Sequence, residues 1–228
     1  MYAFYINILS VLIVVLIFFN THAQNIKEIQ KKVNDFLSQN NFNAAIQFMD
    51  NMIVKFPNND TLITMQGLIY LDNQFNDKAQ ELFEKALQIN SNNITAKFSL
   101  AETYTIQRNF LKAKELFGEL LNEYSNKSII LNYLAQIAIA ENDYSSVKKY
   151  FTQLLEIDST NIDALNSLGV LALMNGDLNE SEILLNKSVL YSKNNINAYY
   201  NLGVLYLFKE DYKKAEINLI EALKIDSS

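Results

Sequence analysis

The sequence predicts an all-α protein built from tandem antiparallel helix pairs, and three observations carry that reading. Helix breakers are scarce: 228 residues contain 5 glycines and 1 proline, so helical segments can run on without interruption. Half of the residues are hydrophobic, enough for a sizeable core. Small and large apolar residues also recur every 34 positions from residue 26 onward. Self-similarity at a fixed period of this length marks an array of one supersecondary unit.

Six units follow from that period: 26–59, 60–93, 94–127, 128–161, 162–195 and 196–228. The first carries Ile29, Val33 and Phe36, then Ala45, Met49 and Met52. In the second stand Ile63, Gly67, Tyr70, Ala79, Phe83 and Ala86, and in the third Leu100-Ala101, Tyr104, Ala113, Phe117 and Leu120. The fourth has Leu131, Leu134-Ala135, Ala138, Val147, Phe151 and Leu154; the fifth has Leu165, Leu168-Gly169, Ala172, Ser181, Leu185 and Ser188. The sixth reads Ala198-Tyr199-Tyr200-Asn201-Leu202-Gly203-Val204-Leu205-Tyr206, then Ala215, Leu219 and Ala222. The eighth position of each unit is small or β-branched and the twentieth small, whereas the twenty-fourth is a large apolar knob. Small residues let two helices approach closely, and large ones fill the groove beside the contact. Turns between units are rich in asparagine (Asn58-Asn59, Asn92-Asn93, Asn194-Asn195), which suits left-handed helix stops and N-caps.

An aromatic, then Leu-Gly, then Tyr, with a later small/apolar pair, resembles the tetratricopeptide signature; Tyr199 stands where that family usually has tryptophan. The lone Pro57 falls on the family's terminal proline position, and Lys32 and Gln66 depart from it where a leucine is expected. The resemblance covers residues 26–228 and implies a right-handed superhelical solenoid of antiparallel helix pairs whose first helices line a concave groove. In this family the second, fifth, ninth and twelfth positions of each unit face that groove. The peptide-binding residues it implies here are Leu68, Leu71, Phe98, Asn132, Gln136, Ile139, Asn166, Val170, Leu173, Tyr200, Val204 and Leu207, and Thr64 shares the fifth position. That groove is mostly uncharged. Asn132 and Asn166, at equivalent positions, form a short ladder of amides for the backbone of an extended peptide, while the aliphatic residues take apolar side chains. A subfamily grips acidic chaperone tails with Lys, Asn, Asn, Lys and Arg; the matching positions here hold Gln30, Asn34, Met65, Thr95 and Ser99. The clamp is absent.

Residues 1–26 carry no charged side chain, and Tyr2 to Phe19 is almost wholly apolar. Such a run reads as a secretory signal or a membrane anchor. Thr21-His22-Ala23 before Gln24 resembles the cleavage sites of Gram-negative envelope proteins, which points to an exported, periplasmic or secreted chain. Against cleavage, the nearest basic residues, Lys27, Lys31 and Lys32, follow the run; by the positive-inside rule an uncleaved helix would anchor the repeats at the cytoplasmic face of the inner membrane. Membrane contact is expected only in that second case.

No cysteine is present and the single histidine is His22. Thiolate nucleophiles, thiolate metal sites and histidine-based acid/base pairs are therefore missing from the repeats, so neither an enzyme, a metal nor a cofactor is expected. A net charge of −6 with Arg108 as the only arginine argues against nucleic acid. The expected partner is another protein, engaged through an extended or helical segment of low net charge. At the C-terminal end, Ile217, Ile220 and Leu223 suit end-to-end homodimerisation or docking; a frayed end, or a truncated chain, reads the same residues without a contact. Glu81-Glu84 and Glu180-Glu182 read as solvated faces of second helices.

Overall fold

The computed structural model describes residues 23–123 and 125–226. The signal-or-anchor segment, residues 1–23, lies outside them except for Ala23. The described residues fall into two compact units, 23–123 and 125–226. In the first unit are α1 (Ala23–Ser38), α2 (Phe42–Lys55), α3 (Asp60–Asp72), α4 (Asn76–Ile89), α5 (Ile94–Ile106) and α6 (Phe110–Glu123). In the second are α7 (Lys127–Ala140), α8 (Tyr144–Ile157), α9 (Ile162–Met174), α10 (Leu178–Tyr191), α11 (Ile196–Phe208) and α12 (Tyr212–Asp226). No strand occurs among the described residues. The all-α class and the pairing of helices agree with the sequence reading.

Asparagine starts most first helices. The Oδ1 atoms of Asn59, Asn93, Asn161 and Asn195 accept from the backbone N–H of Leu62, Ala96, Ala164 and Ala198 at 3.0, 2.9, 2.9 and 3.2 Å. Each such cap stabilises its helix by about 1 kcal/mol. The fourth repeat breaks the series: Lys127 holds the equivalent position, α7 begins on it, and the preceding Asn126 makes no side-chain cap bond.

Left-handed stops do not occur where the asparagine-rich turns suggested. The residues closing α2, α4, α8 and α10 have φ between −133° and −141°, far from the left-handed region. Positive φ appears instead inside each pair, at Asn40, Gln74, Arg108, Asn142, Gly176 and Glu210, between 54° and 80°. Each is the fifteenth residue of its repeat. The next residue's N–H reaches back to the last turn of the first helix, as in Phe75 to Tyr70 O at 2.9 Å and Asn109 to Tyr104 O at 2.8 Å. This is a Schellman closure, which demands the left-handed residue whatever its side chain. Between repeats, Pro57 follows the C-cap Phe56 of α2, where a missing N–H costs nothing.

The core follows the small/large code. Ala45, Ala79, Ala113 and Ala215 are buried at the twentieth position, and Met49, Phe83, Phe117, Phe151 and Leu185 at the twenty-fourth. In the first unit Ile29, Val33, Met49, Leu62, Met65 and Ile69 form one cluster; in the second Leu185, Leu202, Leu205, Tyr206 and Ala215 form another. Gln66, where leucine was expected, is buried and donates to Asp50 Oδ1 at 2.6 Å, so its amide is satisfied. Lys32 lies over the Phe48 ring at 4.9 Å.

Ser181 is the one polar residue at the twentieth position. Its hydroxyl is buried without a hydrogen-bond partner among the described residues. Ser181→Ala should therefore raise stability by about 1 kcal/mol, read as a higher midpoint in guanidinium unfolding.

Candidate protein-binding face

The twelve candidate groove residues lie on first helices, but the structure treats them unequally. In the first unit Leu68, Leu71 and Phe98 are half-buried. Phe98 stands edge-on to the buried Phe117 ring, with centroids 5.7 Å apart and planes at 74°, so the core below fixes its ring. Thr64 is not available at all: it is buried, its hydroxyl donates to Asp60 O at 2.7 Å, and it accepts from Asn93 Nδ2 at 3.0 Å. The same Asn93 amide reaches Asp60 Oδ2 at 2.7 Å, and Asn90 joins it at 2.9 Å. This polar knot ties the turn between α4 and α5 back onto α3, so Thr64 is a structural residue and not a groove residue.

The second unit carries the other nine. Asn132, Gln136, Asn166, Val170, Leu173 and Val204 are half-buried, while Ile139, Tyr200 and Leu207 are 47%, 56% and 45% exposed. Leu173 leans inward onto the cluster of Leu185 and Leu202 and belongs partly to the core. Asn132 and Asn166 do not bond each other. Asn132 Oδ1 accepts from Gln136 Nε2 at 3.2 Å, one turn along α7. Asn166 Oδ1 accepts from Asn201 Nδ2 at 3.1 Å, across from α9 to α11. Both asparagines thus have their oxygens engaged, and their Nδ2 groups have no acceptor among the described residues. Asn201 was missed at the sequence level, although a lone amide inside the apolar run of α11 is a legible signal.

Two carboxylates read as solvated are instead structural. Glu84 accepts from the Tyr104 hydroxyl at 2.8 Å and from Gln80 at 2.9 Å. Glu182 accepts from the Tyr206 hydroxyl at 2.7 Å and pairs with Lys209. Tyr104 and Tyr206 occupy the same repeat position, and burial, then the facing carboxylate, pushes each phenol up to about 12. Hydrogen bonds from Lys209 and Tyr206 hold the Glu182 carboxyl below its ordinary range. Each tyrosine therefore stays a donor at neutral pH and latches its first helix to the preceding second helix. Glu81 and Glu180 are exposed, as expected.

Among the described residues, no three His, Cys, Asp or Glu side chains converge to hold a metal ion, and no helix is long and apolar enough to cross a membrane. Helix pairs on a common period among the described residues, with polar and aliphatic side chains on the first helices, define a helical-repeat protein. A family model described as Iml2/Tetratricopeptide repeat protein 39 matches residues 5–165, more than half of the chain, and two described as Tetratricopeptide repeat match residues 150–183 and 196–228. The chain belongs to the tetratricopeptide repeat family.

Solved structures share the fold. A tetratricopeptide repeat protein from Parabacteroides merdae is 22% identical with a TM-score of 0.71, the match covering 88% of this chain and 80% of that one. Pseudomonas aeruginosa pilF is 13% identical with a TM-score of 0.72, covering 87% and 90%. YrrB, a TPR protein with an unusual peptide-binding site, is 19% identical with a TM-score of 0.64, covering 79% and 93%. Comparison with curated protein sequences finds no match.

Proposed function

We propose that this protein is a non-catalytic protein–protein interaction scaffold, exported to the envelope, whose first-helix face in the second unit holds a segment of another envelope protein. The observation that carries the reading is the chemistry of that face. Asn132 and Asn166 present amide donors, while Ile139, Val170, Val204 and Leu207 offer aliphatic surface around them. Donors at regular spacing suit the carbonyls of an extended or helical peptide, and the lack of charge at these positions suits a segment of low net charge. The peptide-binding site described for YrrB is consistent with such a use of the fold, and the uncharged apolar run at residues 2–19 supports export.

Affinity capture from the native cell envelope, followed by mass spectrometry, tests the reading. The Asn132→Ala/Asn166→Ala double variant should recover roughly tenfold less partner, because each lost hydrogen bond is worth about 0.5–1.5 kcal/mol. Unchanged recovery would remove the groove from consideration. The intact mass of the captured bait reports on export in the same experiment, since cleavage leaves Gln24 as the first residue.

A further inference from the structure

The candidate groove residues of the second unit offer hydrogen-bond donors in excess of acceptors. Asn132 and Asn166 each have the side-chain oxygen bonded, at 3.2 and 3.1 Å, and the Nδ2 group unbonded among the described residues. Gln136 commits its Nε2 to Asn132, and its Oε1 is buried without a partner among the described residues. Turning that pair of amides over would bury an unpaired N–H in place of the oxygen, the rarer of the two arrangements. The one other polar group in the set is the Tyr200 hydroxyl, on a side chain 56% exposed; a phenol both donates and accepts. Asp163, at the start of α9, is the only carboxylate on α7, α9 and α11, and Lys127, at the start of α7, is their only cation.

An ordinary peptide brings one N–H for every carbonyl, and proline alone brings the carbonyl without the N–H. We propose that the segment held on this face is proline-rich and lies there as a polyproline II helix. The inference rests on the reading of the face as a protein-binding groove, and it adds the class of the segment. A polyproline II helix has no internal hydrogen bonds, so its carbonyls are free to accept from the two Nδ2 groups. Its pyrrolidine rings are apolar and suit an aromatic surface with aliphatics beside it, here Tyr200 with Ile139 and Leu207, 47% and 45% exposed. A segment rich in N–H groups would find its acceptors only in side-chain oxygens that are already bonded or buried. An acidic tail would find Lys127 alone.

Fluorescein-labelled decaproline titrated with the full chain and followed by fluorescence anisotropy tests the class directly. The comparison probe is a peptide of the same length that alternates alanine with proline, which returns an N–H at every second position. Decaproline should bind about tenfold more tightly, the scale of one or two polar groups left unpaired. Asn132→Asp with Asn166→Asp exchanges both outward donors for acceptors at nearly unchanged size. This double variant should bind decaproline about tenfold more weakly or worse, with the far-ultraviolet circular dichroism of the parent retained. Equal affinity for the two peptides, or decaproline binding that the double variant leaves unchanged, would overturn the proposal. Decaproline that fails to bind a chain whose captured envelope partner is still lost through Asn132→Ala/Asn166→Ala would overturn the proline-rich segment and leave the groove standing.

Discussion

Replacing Phe117 with alanine is expected to lower stability by about 3–5 kcal/mol, the range for deleting a fully enclosed aromatic. The ring is completely buried at the twenty-fourth position of the third repeat, where the small positions, Ala101 and Ala113, are buried as well. Its loss should be felt on the surface too, because Phe98 rests edge-on against it. Phe117→Leu keeps most of the volume and should cost nearer 1 kcal/mol. Guanidinium unfolding followed by far-ultraviolet circular dichroism distinguishes the two. A loss for Phe117→Ala below that of the leucine variant would mean the third repeat closes over the space it leaves.

The second large effect comes from adding atoms. A β-carbon built on Gly67 would lie 2.6 Å from Phe83 Cε1 and 2.9 Å from Cδ1, well inside contact distance, and the ring is enclosed and cannot swing away. Gly67→Val should therefore cost about 1–3 kcal/mol through overpacking, although valine is a better helix former than glycine. The first repeat shows the remedy, for there the same two positions hold Val33 and Met49, both buried. Gly67→Val with Phe83→Met recreates that pair and should lose less than the sum of its parts, with a coupling of about 0.5–3 kcal/mol in a double-mutant cycle. Additivity would mean that the glycine is not fixed by the ring opposite.

Features whose cause is local were legible in the sequence. The small/large pairing of Gly67 with Phe83 and Gly169 with Leu185, the caps at Asn59, Asn93 and Asn195, and the place of Pro57 each depend on one or two residues at a fixed spacing. The features that escaped depend on what a neighbouring turn or helix brings. Thr64 looks like any groove threonine until Asn93 turns back onto it. Glu84 and Glu182 look solvated until Tyr104 and Tyr206 arrive from the following helix, 20 and 24 residues on, so the two carboxylates hold different repeat positions. Asn166 was picked out as one rung of an amide series, yet its bonded partner, Asn201, sits at a different repeat position and so lay off the pattern being followed. The slip at Lys127 escaped because the apolar register continues through it while only the cap is lost.

The left-handed turn at the fifteenth position has a consequence for how the array stores its instructions. Asn, Gln, Arg, Asn, Gly and Glu all adopt the same backbone there, although only glycine does so without steric penalty. The turn is thus specified by the two helices it joins and not by the letter at its apex. In coding terms the signal is redundant: a copying error at any one apex leaves the message readable, because the flanking 34-residue frame repeats it. An array written this way can lengthen by duplication and drift at its turns while every helix keeps its place.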